Sequence, residues 1–488
     1  MSVKNQVQLI TYPDSLGGDL NRLNQVLEEH FPDLFTGGIH ILPPFPSSGD
    51  RGFAPLTYLQ IEPQFGTWDD IKHLSEKHAI LLDLMVNHIS AQSEYFQDFL
   101  EKGHDSPYAD LFLTLDKFWP DGNPEKKDLE KIFLRRANPY SEFEIKQTGK
   151  TERVWTTFGK TNPSEQIDLD INTPRTRDLI VEFLENFKNN GVSIVRLDAV
   201  GYVIKKLGTP CFFVEPEIYE FLEWISGKAN SLGIELLPEI HDRYETQFKL
   251  AEKGYWIYDF ILPYTILDAF INQTSRRLKE YLKIRPAKQF TMLDCHDGIP
   301  IKPDLNGLYE YEDAKKVADT CLQRGGNFSL ILSPEHKDAN GFDVHQIRGA
   351  IYSLLGENDE TYLAARAIQF FTPGIPQVYY VGLLAGKNDE KASALTGEGR
   401  EINRHNFSVE EIEQEVKKPV VQKLIRLIQL RNSHPAFNGT FEIIQSGNEE
   451  LKLKWAEGDN YAVLDVDFRE GRSTITYSDA SGKETLFD

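Results

Sequence analysis

Short apolar runs bounded by turn residues alternate along this chain with stretches of helical periodicity, the pattern of βαβ units around a parallel sheet. Eight runs predict strands: Gln6–Tyr12, Gly37–Pro43, Ala79–His88, Val192–Val200, Gly233–Ile240, Tyr258–Pro263, Phe290–Asp297 and Pro376–Gly382. Between them lie amphipathic helices. One carries Leu20, Leu23, Val26 and Leu27; another carries Leu179, Ile180, Phe183, Leu184 and Phe187 behind Thr173 as N-cap and Pro174 in the first turn. No GxGxxG follows an early strand, which argues against a doubly wound open sheet, and eight is the number of strands that closes a barrel. The predicted fold is an α/β protein, a (β/α)8 TIM barrel.

Two stretches break the alternation. Residues 89–172, after the third strand, are rich in aromatic, Pro and charged residues with weak periodicity, and 298–359 follow the seventh strand. Both leave from the carboxyl ends of strands, where barrel enzymes build their sites, so both predict excursions that roof the site. The barrel is assigned to 1–88, 173–297 and 360–440. From 441 to 488 the pattern turns to strict alternation, as in Leu451-Lys452-Leu453-Lys454-Trp455, and predicts a small antiparallel β domain.

With 488 residues, 40% apolar and 26% charged, the chain exceeds what one core organises and is folded throughout. A formal charge of −22 opposes binding to nucleic acid or an anionic membrane and suits a small-molecule substrate. No apolar run reaches the roughly 18–20 residues of a membrane span, and Met1-Ser2-Val3-Lys4 leads into a strand rather than a signal peptide, so the expected location is cytoplasmic. Three scattered cysteines, Cys211, Cys295 and Cys321, form neither a disulfide framework nor a zinc motif. A homodimer stays open as the assembly.

The chemistry concentrates at three strand ends. In Val192–Asp198, alternation places Ile194, Arg196 and Asp198 on one face. Arg196 beside Asp198 favours the ionised carboxylate, as a nucleophile needs, although a structural ion pair would look the same. Glu239 ends the apolar run Leu236-Leu237-Pro238, where partial burial suits a general acid, and Asp297 with His296 ends the seventh run. Three carboxylates at the ends of strands four, five and seven are more specific than any one of them. Two carboxylates about 5–5.5 Å apart would give retaining glycoside chemistry, with the third stabilising oxocarbenium charge.

Four segments carry a resemblance: Asp83-Leu84-Met85-Val86-Asn87-His88, Arg196-Leu197-Asp198-Ala199-Val200, Pro238-Glu239 and Cys295-His296-Asp297. They resemble the motifs of α-amylase-type barrels, glycoside hydrolase family 13. Val7–Tyr12, Ile39–Pro43, Gly374–Gly382 and Ile402-Asn403-Arg404-His405 are similar to its sucrose phosphorylase branch. The resemblance implies a double displacement in which Asp198 attacks the glucosyl carbon, Glu239 protonates the departing oxygen and inorganic phosphate releases glucose 1-phosphate, with Asp297 holding glucose hydroxyls. It implies a glucose subsite of Asp50, His88, Arg196, His296 and Arg404, with Phe53 and Phe158 as an apolar platform, and Gln166 as a further substrate-binding residue. Asn87 stands where calcium-binding amylases place a ligand, yet this branch works without calcium, so the expectation is no metal and no cofactor.

Departures from the branch concern the leaving group. Phe133-Leu134-Arg135-Arg136 stands where sucrose phosphorylases have Pro before one Arg, and Gly341-Phe342-Asp343-Val344-His345-Gln346 carries His345 where they have Tyr. Arg135, Arg136, Asp343, His345 and Gln346 are therefore candidate acceptor-site residues, and paired Arg and His suit a phosphomonoester. This combination resembles the sucrose 6'-phosphate phosphorylases, with Lys160 a further candidate cation. Unmodified sucrose, glucosylglycerol and glucosylglycerate remain alternative donors, and water an alternative acceptor. Amylase-like subunits of membrane transporters lose the carboxylates and carry an anchor, unlike this chain.

Overall fold

The computed structural model describes residues 3–119, 121–301, 308–330, 343–479 and 484–487. Eight parallel strands follow in chain order: β1 (Gln8–Thr11), β2 (Gly38–Ile41), β3 (Ile80–Met85), β4 (Val192–Asp198), β5 (Glu235–Pro238), β6 (Ile257–Asp259), β7 (Gln289–Thr291) and β8 (Ile375–Tyr379). Their sheet order, β6-β7-β8-β1-β2-β3-β4-β5, is the succession of a (β/α)8 barrel. Contacts divide the chain into two compact units, one built on Ile41–Ile240 and the other on Val3–His40, His241–Leu330 and the chain after residue 342.

In the first unit, β3 pairs with β4 and β4 with β5 in parallel, which sets Met85 opposite Asp198 and Leu197 opposite Pro238. All six residues of β3 are buried, Asp83 among them. The helix Pro174–Asn189 forms as its sequence dictates: Thr173 accepts the Thr176 N–H, Pro sits in the first turn, and Leu179, Ile180, Phe183, Leu184 and Phe187 are buried. Between β3 and β4 the excursion builds two antiparallel pairs, His88–Ser90 with Gln166–Asp168 and Tyr140–Ile145 with Lys150–Trp155. Its core of Leu113, Leu115, Trp119, Ile132 and Trp155 also takes in Cys211 from the segment after β4.

In the second unit, β6, β7, β8 and β1 pair successively in parallel. Of the runs predicted as strands, two overshoot furthest. The run Tyr258–Pro263 leaves the sheet after Asp259, because its carboxylate accepts the Ile261 and Leu262 N–H groups at 3.3 and 3.0 Å and so starts the helix Leu262–Asn272. The run Phe290–Asp297 leaves after Thr291. Asp294 is drawn instead to the fully buried Arg366 at 2.7 Å, and a Cβ on Gly382 would fall 2.0 Å from that guanidinium and 2.3 Å from the Asp294 carboxylate. That buried pair explains the glycine closing Gly374–Gly382.

After β7 come the strands Ile299–Pro300, Asn327–Leu330 and Val344–Arg348, which form a three-stranded antiparallel sheet, and the helix Tyr311–Gln323. Gly341 and Phe342 lie outside the described residues. The C-terminal sheet orders β9 (Thr440–Ile444), β10 (Glu450–Glu457), β11 (Asn460–Asp467), β12 (Arg472–Ser478) and β13 (Glu484–Phe487) antiparallel. Leu451, Leu453 and Trp455 face its buried side, as their alternation predicts. Among the described residues no helix is long and apolar enough to cross a membrane.

Candidate active site

In the first unit the carboxyl ends of β3, β4 and β5 converge on one guanidinium. Arg196 Nη1 bonds Asp83 and lies 2.8 Å from Asp198 Oδ1, while Nη2 lies 3.8 Å from Glu239 Oε1. Arg196 is 3% exposed and Asp83 fully buried, so neither charge is tolerable without the other. The side chains of Asp198 and Glu239, 15% and 10% exposed, keep contact with solvent. Directly after the nucleophile candidate, Ala199 takes a left-handed φ of 53°, a conformation that costs a non-glycine residue about 1–2 kcal/mol. That turn aims the Ala199 N–H at Glu239 Oε2, at 3.2 Å, tying the two strand ends together.

Six of the residues expected for the glucose subsite, Asp50, Phe53, His88, Phe158, Gln166 and Arg196, lie in the same unit, while His296 and Arg404 belong to the second. His88 Nε2 meets the Phe53 carbonyl at 3.0 Å, its ring lies 5.4 Å from Phe158, and burial holds its imidazole below the usual pKa. Arg196 stacks over the Phe53 ring at 5.9 Å. Asp50 occupies a tight turn with φ of 50°, and Gln166 is buried on the short strand opposite Ser90. Asn87 does not face solvent. Its side-chain oxygen and Asp168, 2.7 Å from the ammonium, both hold the buried Lys205, so an internal cation occupies these oxygens. Asp168 also accepts from Asn87 and from the Thr157 N–H at 3.1 and 2.8 Å.

The two neighbouring arginines have different surroundings. Arg136 spends its guanidinium on the loop that carries Phe158, donating to the Phe158 and Thr161 carbonyls at 3.2 and 3.0 Å and to Thr156 at 3.3 Å. Burial lowers its pKa, against the pull of Glu165 and Asp168. Both arginines line a small pocket together with Phe133, Tyr202 and Cys211. Lys160 is exposed.

In the second unit, Asp297 meets cations. Arg400 Nη2 lies 3.1 Å from its Oδ1 and His296 Nε2 3.7 Å from its Oδ2. Arg404 instead donates from Nε and Nη2 to the His296 carbonyl, both at 3.1 Å, and stacks over Tyr12 at 5.7 Å. It therefore fixes the backbone that presents His296 and Asp297. Arg348 is pushed down to about 10 by burial and by Arg400, against the pull of Asp297. Its stem fits only because Gly298 and Gly399 lack a Cβ, which would fall 3.0 Å from Arg348 Cγ and 2.4 Å from Nη1 respectively. On the strand Val344–Arg348, His345 and Gln346 are buried, Asp343 precedes them half-buried, and Gln346 Nε2 reaches His241 Nδ1 at 3.5 Å.

Sequence reasoning missed Arg400, Asp83 and Lys205 as partners of the site. Asp83 and Asn87 lay inside a recognised motif, so a charged residue at an otherwise apolar buried strand was a usable signal. Arg400 had none, because its segment Gly399–Asn403 is a 3-10 turn without periodicity.

A model of the α-amylase catalytic domain matches residues 5–246. The chain is 61% identical over 487 residues to the sucrose 6(F)-phosphate phosphorylase of Thermoanaerobacterium thermosaccharolyticum, covering 100% of both chains. It is 43% identical over 485 residues to the sucrose phosphorylase of Streptococcus mutans, covering 98% of this chain and 99% of that one. Among solved structures it is similar to the crystal structure of sucrose 6F-phosphate phosphorylase from Thermoanaerobacter thermosaccharolyticum, with a TM-score of 0.98 and 61% identity, covering 100% of this chain and 99% of that chain.

Proposed function

This chain belongs to the sucrose phosphorylase branch of the α-amylase family, and from that membership we propose that it is a retaining disaccharide phosphorylase acting on sucrose 6'-phosphate. It transfers the glucosyl unit to inorganic phosphate and yields α-D-glucose 1-phosphate and fructose 6-phosphate. The observation that carries the reading is Arg196, which holds Asp198 and Glu239 at the ends of adjacent strands.

Asp198 is the nucleophile. Its oxygen on Arg196 stays ionised, and the other is directed by the strand end toward the anomeric carbon. Glu239 protonates the departing fructosyl oxygen, then withdraws the proton from phosphate as it attacks the glucosyl ester, so one carboxyl serves as acid and then base. Asp297 accepts hydrogen bonds from glucose hydroxyls and steadies positive charge at the transition state. His88, Gln166, Asp50, Phe53 and Phe158 shape the glucose pocket. Arg135 and His345 receive the 6'-phosphate, for which guanidinium and imidazole are fitting partners. Arg136 braces the Phe158 loop. The buried Lys205 supports a site that needs no metal at Asn87. The substrates are small, water-borne phosphates, which fits a cytoplasmic enzyme, and a homodimer is its proposed assembly.

The test measures phosphate-dependent glucose 1-phosphate release from sucrose 6'-phosphate and from sucrose, for the wild type and for Arg135→Ala with His345→Ala. Preference for the phosphorylated donor, lost in the double variant, supports the reading. A wild type that prefers sucrose overturns the donor assignment.

A further inference from the structure

The segment Gly399–Arg404 carries two side chains of the site, Arg400 on Asp297 and Arg404 on the His296 carbonyl. It has neither helix nor strand hydrogen bonding of its own to fix it beyond a 3-10 turn, so its position depends on what grips it. Asn327 holds the Gly399 carbonyl at 3.0 Å, and the buried Tyr379 hydroxyl holds the Asn403 carbonyl at 3.0 Å. The next residue is gripped from two sides. His405 Nδ1 lies 2.9 Å from Asp389 Oδ2 and Nε2 lies 3.3 Å from Glu411 Oε1.

Both carboxylates are themselves fixed. Asp389 caps the helix Glu390–Thr396 through the Ala392 N–H at 2.9 Å, and its own N–H returns to the Ile402 carbonyl at 2.8 Å. Glu411 accepts the Ser408 N–H at 2.8 Å in the capping box of the helix Val409–Glu415. Phe407 packs edge-on to the imidazole, ring centroids 4.7 Å apart. Although burial opposes it, the Ala392 N–H and His405 hold the Asp389 carboxyl below its ordinary range; the Ser408 N–H and His405 do the same for Glu411. Two helix starts are thus joined through one ring at the point where the segment ends.

We propose that His405, gripped by Asp389 and Glu411, is a positioning residue that sets Arg400 and Arg404 for the glucosyl subsite. The inference rests on the proposed function in one respect, that Asp297 serves the glucosyl unit. Arg404 locates the backbone of His296, Arg400 locates the Asp297 carboxylate, and His405 fixes the segment that carries both. Removing the ring lets the segment shift by the fraction of an ångström that such contacts do not tolerate.

The experiment compares donor KM and kcat for the full-length wild type, His405→Ala, His405→Gln and Glu411→Gln, below the temperature at which each begins to unfold. His405→Ala is expected to raise donor KM about tenfold or more, and His405→Gln to recover part of the loss because an amide can still donate to one carboxylate. In an Arg400→Gln background, His405→Ala should cost less than in the wild type, because one of the two groups it positions is already gone. A donor KM within about twofold of wild type, or a fully additive loss with Arg400→Gln, overturns the proposal. If His405→Ala does not fold, Glu411→Gln carries the same comparison. Product analysis separates the two readings: free glucose in place of glucose 1-phosphate from the wild type would sink the phosphorylase assignment, while the KM comparison would still decide the role of His405.

Discussion

The two units surround their proposed catalytic carboxylates in opposite ways. Around β3–β5 one guanidinium is shared by three acids, Asp83, Asp198 and Glu239, so negative charge is concentrated at the strand ends. Around Asp297 the balance is reversed, with Arg400 in contact and Arg348 and Arg404 close enough to press on one another's charge. A carboxylate that must attack carbon or exchange a proton gains from a sparing counter-charge. One that must stay ionised and still while hydroxyls and developing charge come to it gains from a firm one. The counter-ions, more than the carboxylates, distinguish the roles.

The strongest way to break this contrast is to remove the proposed nucleophile. Asp198→Asn should lower glucosyl transfer by on the order of 10⁴-fold or more while leaving circular dichroism and melting near wild type, since Asp83 keeps Arg196 paired. Transfer at wild-type rates would sink the assignment. Next comes the shared cation. Arg196→Met takes the guanidinium away from the fully buried Asp83 and should cost about 3–5 kcal/mol of stability. The loss should shrink at low pH, where Asp83 can take a proton, and urea unfolding at two pH values reads it. On the other side, Arg400→Gln removes the cation on Asp297 at a partly exposed position, so about 1–3 kcal/mol should leave kcat/KM with little change in melting temperature. Equal losses of stability in Arg196→Met and Arg400→Gln would erase the difference between the units.

That difference was only half legible in the sequence. Asp198 and Glu239 could be found because a strand end has a direction and a period of two, and an acid ending an apolar run stands out whatever surrounds it. Helix Pro174–Asn189 was equally plain, carrying its cap, its Pro and its apolar face locally. The counter-ions were harder, because pairing is a property of the fold: Asp83 and Arg196 are 113 residues apart, and Lys205 meets Asn87 across 118. Strand ends at β6 and β7 failed for a related reason. Tyr258–Pro263 and Phe290–Asp297 are apolar enough to continue, but Asp259 and Asp294 each divert the chain toward a partner, Asp259 capping a helix and meeting Arg285 at 2.9 Å, Asp294 meeting Arg366. A buried acid inside an apolar run is therefore better read as a question about its partner than as one more strand residue.

The smallest test concerns how close that partner must come. Asp259 and Asp294 meet their arginines at 2.9 and 2.7 Å, although burial still lifts the Asp294 carboxyl against the pull of Arg366; buried Asp268 has Arg277 only at 3.8 Å, and burial lifts its carboxyl to about 6. A carboxyl raised in the folded state from its ordinary value near 4 binds a proton more tightly folded than unfolded, so its contribution is fully present below about pH 4 and is lost as pH rises through about 6. Asp268→Asn keeps the shape and removes the charge that burial penalises. It should leave stability almost unchanged near pH 4 and raise it by about 1–2 kcal/mol at pH 8, the gain reduced by the weakened attraction to Arg277. Melting temperatures of both proteins across that range decide it: a gain that grows with pH means that 3.8 Å is too far for a guanidinium to offset burial, and a loss at pH 8 means that the distant pair stabilises the fold much as the close ones do.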